Sequence, residues 1–216
     1  MGEKAADQKI RLLLTGGGTG GHLFPAIASA QKLQEMYPGS EVLFVGTRRK
    51  MDKTSLDKYG FPSRSIHSYG LKGKSFLEIL KALAVLPVSC LEALLIITRF
   101  RPDVVLGVGG YVTGPVVATA KILGIPTVIH EQNSVPGLAN RKLGSLVDTI
   151  CVSLPDSGGN FPGDKIVFTG NPVRKEIITV SDQDSKPVTD KLVLLVLGGS
   201  QGAHGVNMLV VESVTR

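Results

Sequence analysis

Four loops of this chain hold the residue types that handle anions, sugars and protons. The first is Thr15-Gly16-Gly17-Gly18-Thr19-Gly20-Gly21-His22, where an apolar run ends in five glycines and two threonines. Glycine lets a backbone turn sharply and approach a ligand closely. An Ala-rich helical pattern follows, so Thr19, Gly20 and Gly21 stand where the first N–H groups of a helix point outward unpaired, with the positive end of the helix dipole behind them. Such a place suits phosphate or another anion. His22 sets a titratable group beside it: a candidate general base, or a histidine that only caps or packs. In the second loop, Gly107-Val108-Gly109-Gly110-Tyr111, the tyrosine either lines the same cleft or packs. The third, His130-Glu131-Gln132-Asn133, follows a buried-strand pattern. It offers Glu131 as a second catalytic candidate and Asn133 as an amide that hydrogen-bonds sugar hydroxyls with both ends, the alternative being a satisfied turn. In the fourth, Gly170-Asn171-Pro172-Val173-Arg174, the arginine either clamps a phosphate with its planar fork or sits on the surface.

Gly16, Gly18 and Gly21 also satisfy G-x-G-x-x-G. That pattern alone fits a dinucleotide site, and equally a tight turn that binds nothing. Dinucleotide sites usually carry an acidic residue after the second strand for the ribose. Gly46-Thr47-Arg48-Arg49 stands there instead, which leaves open an NADP-binding oxidoreductase. A non-catalytic module that binds an acceptor or lipid headgroup is a further alternative.

The elements that must position these loops alternate. Short apolar runs at 10–15, 41–45, 63–67, 103–106, 126–130, 149–153 and 165–169 read as strands. Helical patterns fall at 24–37, 53–59, 75–99 with a kink at Pro87, 114–123 and 136–143. The alternation predicts a doubly wound, parallel α/β sheet, in which ligands bind at the carboxyl edge of the strands. The helix over 75–99 carries Phe76, Ile79, Leu80, Leu83 and Leu86, with Lys72, Lys74 and Lys81 nearby. A core-facing amphipathic helix is the common case. Lysines beside an apolar face also suit an anionic membrane surface.

Residues 192–197 form another apolar run, followed by Gly198-Gly199-Ser200-Gln201-Gly202-Ala203-His204. Both apolar runs lead into a Gly-Gly-Thr/Ser segment and a histidine, so the reading is two α/β units in tandem: 1–170, then the start of a second over 171–216, one strand and one helix long. A complete unit of this kind needs roughly 100 residues or more.

The chain has 216 residues, 43% hydrophobic and 19% charged, so it can bury a core. A net charge of +6 and pI near 9.4 favour acidic partners. With 5% aromatics, no Trp and no Lys/Arg block, nucleic-acid stacking platforms are not expected. Cys90 and Cys151 read as buried free thiols in a reducing compartment. No His/Cys spacing fits a metal. The first residues lack a secretory h-region, and no 18-residue uncharged apolar run occurs, so a cytoplasmic location is expected.

Taken together, the glycine loop ending at His22, the Gly-Gly-Tyr loop, His-Glu-Gln-Asn, Asn-Pro-Val-Arg and the second glycine loop resemble the MurG family of bacterial glycosyltransferases in order and rough spacing. The resemblance runs from about Lys9 to Met208. It implies a GT-B fold of two Rossmann-like domains and an inverting, metal-independent transfer that needs no cofactor. N-acetylglucosamine would pass from UDP-GlcNAc to the C4 hydroxyl of the muramoyl sugar in lipid I (undecaprenyl-diphospho-MurNAc-pentapeptide), giving lipid II for peptidoglycan. It implies donor contacts by Thr19, Gly20 and Gly21, sugar contact by Asn133, phosphate contact by Arg174 and a nucleotide-side contact by Ser200, with His22 as the base. It also implies peripheral docking on the anionic, cytoplasmic face of the inner membrane. Because that family's second domain holds most of the uridine site, the 216-residue chain alone is expected to transfer little or nothing.

Overall fold

A computed structural model describes residues 8–47, 50–69, 75–181, 193–198 and 203–214. They form two compact units, Met1–Ile178 and Thr179–Arg216.

The first unit is built on seven parallel strands in the order β3-β2-β1-β4-β5-β6-β7. They are β1 (Arg11–Thr15), β2 (Glu41–Gly46), β3 (Ser63–Ser65), β4 (Val104–Gly107), β5 (Thr127–Glu131), β6 (Thr149–Val152) and β7 (Ile166–Phe168). The central strands are apolar throughout because both faces of the sheet are covered. In β1, Leu12 and Leu14 pack with Leu23, Ala26, Ile27 and Ala30 of helix α1 (Gly20–Met36), whereas Leu13 faces the opposite layer with Ile97, Val116 and Val117. The alanines of α1 let the helix lie close on the sheet. The opposite layer is α3 (Phe76–Phe100), α4 (Thr113–Ile122) and the short α5 (Leu138–Leu143). Helix α2 (Lys50–Lys58) precedes β3, and α6 (Lys175–Ser181) follows β7.

Helix α3 runs through Pro87 as one continuous helix. Glu92 of α3 anchors it to the segment after β3, accepting from His67 N at 2.6 Å and lying 2.7 Å from His67 Nδ1. Ser89 donates to the His67 carbonyl. Helix α5 starts later than the sequence pattern predicts, because Gly137 is extended (ψ 153) and its N–H is held by Glu131.

The first unit runs past residue 170 because the Asn-Pro-Val-Arg segment packs on it. Arg174 stacks over Phe24 and Gln31 donates to Glu176. In the second unit, helix α7 spans His204–Val214. The strand expected at 192–197 is corrected: Val193–Gly198 carries no regular secondary structure, and Leu194, Leu195 and Leu197 are 71–78% exposed. A strand needs a neighbour for its N–H and C=O groups, and the described residues of that unit include no other strand.

Candidate functional site

In a sheet ordered 3-2-1-4-5 the strand order reverses between β1 and β4, and the loops leaving those parallel strands diverge to open a crevice between them. Here that crevice is a cleft of about 130 Å³ lined by Gly17, Gly18, Thr19, His22, Gly110 and Tyr111. The two glycine loops interlock to make it. Gly110 has φ +91, and a Cβ there would lie 2.7 Å from the Gly17 carbonyl oxygen. Gly109 has φ +99, and a Cβ there would lie 2.8 Å from the His22 ring. Only glycine lets these backbones meet.

Helix α1 begins at Gly20, so His22 sits in its first turn. The Thr19 side chain makes no capping hydrogen bond, and no acidic residue stands in the first turn. The hydroxyl and the positive end of the helix are thus both available to an anion. Tyr111, 48% exposed, lines the cleft. His22 is held below the ordinary imidazole pKa chiefly by burial, against the Glu131 charge and the Val108 carbonyl, which pull it up. It is therefore neutral near pH 7 and able to take a proton.

Glu131 is 1% exposed and all its capacity is engaged. Oε1 accepts from Asn133 N (3.0 Å) and Asn133 Nδ2 (2.9 Å); Oε2 accepts from Gly137 N (3.1 Å) and Asn140 Nδ2 (3.0 Å). This carboxylate shapes the β5–α5 loop. With Nδ2 committed to Glu131, the exposed Asn133 offers a ligand chiefly Oδ1, not both amide ends. His130 is buried, with Nε2 3.2 Å from the Gly170 carbonyl and 3.1 Å from Ser153 Oγ. Burial lowers its pKa, against Gly170, Glu131 and Gln132.

The structure thus brings Thr19, Gly20, Gly21, His22 and Tyr111 to one place. The loop bearing Glu131 and Asn133 joins it through Gln132, whose side-chain amide meets His22 Nδ1. Gln132 was legible only as part of a motif, and Asn140 only as a helical residue. Arg174 is held elsewhere: its guanidinium lies 3.9 Å over the Phe24 ring and donates to Tyr59 Oη at 2.8 Å. Ser200, Arg48 and Arg49 lie outside the described residues. Among the described residues no three His, Cys, Asp or Glu side chains cluster to hold a metal, and both cysteines are free.

Residues 12–152 match the sequence model of the glycosyltransferase family 28 N-terminal domain. The chain belongs to glycosyltransferase family 28. This family 28 chain is 65% identical over 95% of its length to a Desulfotalea psychrophila protein. That protein is named UDP-N-acetylglucosamine–N-acetylmuramyl-(pentapeptide) pyrophosphoryl-undecaprenol N-acetylglucosamine transferase. A Myxococcus xanthus protein of the same name is 42% identical over 95% of the chain. The crystal structure of Acinetobacter baumannii MurG superposes with a TM-score of 0.66 at 32% identity, covering 94% of this chain and 55% of that one. The chain spans about half the length of the relatives it matches, 56% and 53% of the two proteins above. Membership of family 28 displaces the NADP-oxidoreductase reading of the same glycines.

Proposed function

We propose that this chain is the acceptor-binding half of an inverting N-acetylglucosaminyltransferase that converts lipid I to lipid II in peptidoglycan synthesis. The observation that carries the reading is the 65% identity, over 95% of the chain, to a relative named for that transfer. The cleft chemistry supports it. In the proposed reaction the C4 hydroxyl of the muramoyl sugar attacks the anomeric carbon of UDP-GlcNAc. The anomeric carbon–phosphate oxygen bond breaks, UDP leaves with the electron pair, and the hydroxyl proton goes to His22. Thr19 and the N–H groups of Gly20 and Gly21 face the negative charge, with Tyr111 lining the same cleft. Asn133 contacts a sugar hydroxyl, and Glu131 acts by holding Asn133. Arg174 reaches a phosphate of the donor only once its guanidinium leaves the Phe24 ring and Tyr59 Oη.

The test joins this chain to the remaining length of the Desulfotalea relative and follows GlcNAc transfer from UDP-GlcNAc to lipid I. Lipid II is expected, and His22→Ala should lower kcat by about 100-fold or more. A folded chimera that binds UDP-GlcNAc yet forms no lipid II would overturn the reading.

The same reading places the acceptor on the cytoplasmic face of the inner membrane. Leu80, Ala84, Val88, Leu91 and Leu95 recur at helical spacing on α3 and are all exposed. No helix among the described residues is long and apolar enough to cross a membrane, so this stripe would rest on the surface. Cosedimentation with anionic vesicles, lost in Leu91→Glu/Leu95→Glu, is expected; binding unchanged by that pair sinks the docking claim.

A further inference from the structure

Two atoms beside the cleft lack partners of acceptable geometry: His130 Nδ1 and Gln132 Oε1, both buried. Yet the Gln132 side chain lies within hydrogen-bonding reach of the His130 ring. At its other end the amide nitrogen, as placed, meets His22 Nδ1. The two ends of a carboxamide are nearly the same size, so partners decide its orientation.

The partners here can be read one by one. His130 Nε2 faces the Gly170 carbonyl, which only accepts, and the Ser153 hydroxyl, which itself donates to that carbonyl, so Nε2 carries the proton and the buried neutral ring has a bare Nδ1. A bare Nδ1 needs a donor, and Gln132 Oε1 cannot be one. The His22 ring also has the Val108 carbonyl as a hydrogen-bond partner, and with its Nδ1 protonated it meets Gln132 as a donor that needs an acceptor. Turning the amide over satisfies both rings together. The contact of the Gln132 amide with the Val108 carbonyl, at 3.5 Å, is too long to oppose this.

We infer that Gln132 is a positioning residue: its Nε2 donates to His130 Nδ1, its Oε1 accepts from His22 Nδ1–H, and His22 Nε2 is thereby left bare on the ring that lines the cleft. The chain of bonds runs from the Gly170 carbonyl through His130 and Gln132 to His22. It fixes which imidazole nitrogen can take a proton, the role a second hydrogen bond plays for histidine in general. When the acceptor O–H bond breaks, its proton goes to Nε2. The positive ring that results keeps Nδ1–H on the Gln132 oxygen, while the Glu131 carboxylate nearby favours the new charge. The inference rests on the proposed use of His22 as base for its consequence, but not for its geometry.

The test is long-range 15N–1H correlation NMR on the 216-residue chain at about pH 8, where both rings are neutral. The expected result is His22 protonated at Nδ1 and bare at Nε2, with His130 protonated at Nε2 and bare at Nδ1. His22 protonated at Nε2, or His130 at Nδ1, overturns the inference. In Gln132→Glu the carboxylate accepts from His22 but cannot donate to His130. The His22 titration should then move up, and the pH profile of kcat in the chimera with it, while His130 switches its proton to Nδ1. A folded Gln132→Glu chain with neither ring altered also overturns it. In Gln132→Leu, kcat should fall on the order of tenfold with KM little changed. If the rings have the expected tautomers but His22→Ala keeps full transfer, the base reading fails and the placement of Gln132 stands.

Discussion

Two stretches of this chain read almost alike and end differently. Leu12-Leu13-Leu14 before the first glycine loop is at most 6% exposed, paired on both sides and covered on both faces. Val193-Leu194-Leu195-Val196-Leu197 before the second is exposed and without regular structure. An apolar run therefore specifies a strand only where neighbouring strands supply hydrogen-bond partners and helices supply cover. The first run owes its structure to β2 and β4, which arrive from 41–46 and 104–107.

The sharpest way to break this comparison is a matched pair of truncations. Leu13→Ala should cost about 2–5 kcal/mol in denaturant unfolding, whereas Leu195→Ala should stay within about 0.5 kcal/mol. Equal effects would mean that the second run is buried after all. Glycines give a second contrast. Gly110→Ala forces a left-handed backbone and a clash with the Gly17 carbonyl, and should cost about 1–3 kcal/mol. Gly205→Ala, in open space within α7, should instead stabilise that helix by about 0.5–1 kcal/mol, read as a gain in far-UV helical signal. The smallest expected effect belongs to Asp148, which ties β5 to the start of β6. Lys121, and then the N–H and hydroxyl of Thr127, lower its pKa from 3.8 to about 2. A carboxyl with a depressed folded pKa contributes stability above its unfolded value, and loses it as pH falls through the folded one. Being exposed and screened, the group should contribute less than about 1 kcal/mol. The stability gap between the parent and Asp148→Asn should be present at pH 6 and close between about pH 4 and pH 2. A gap that widens on acidification contradicts the assignment.

The sheet was legible because its strands are short apolar runs punctuated by glycine, and because strands and helices alternate. The glycine loop, His22 and Tyr111 were legible for the same reason: they follow strands. Element ends were less so. The start of α5 depends on Glu131 capturing the Gly137 N–H, a contact six residues back that no periodicity encodes. Glu131 itself reads as a reactive carboxylate in sequence; only the fold shows four donors on it. Gln132 reads in sequence only as part of a motif, because an amide advertises no chemistry until the groups at its two ends are known. Arg174 reads as a phosphate clamp, but an aromatic ring from α1 and a tyrosine hydroxyl occupy its fork here.

The floor of the cleft between β1 and β4 is main chain against main chain, with Gly110 seated on the Gly17 carbonyl. An inhibitor that takes its hydrogen bonds from that floor addresses atoms no codon change can swap for a different functional group. Resistance by substitution at Gly110 would first have to wedge a methyl into occupied space, so the lining side chains left open to escape are Thr19 and Tyr111.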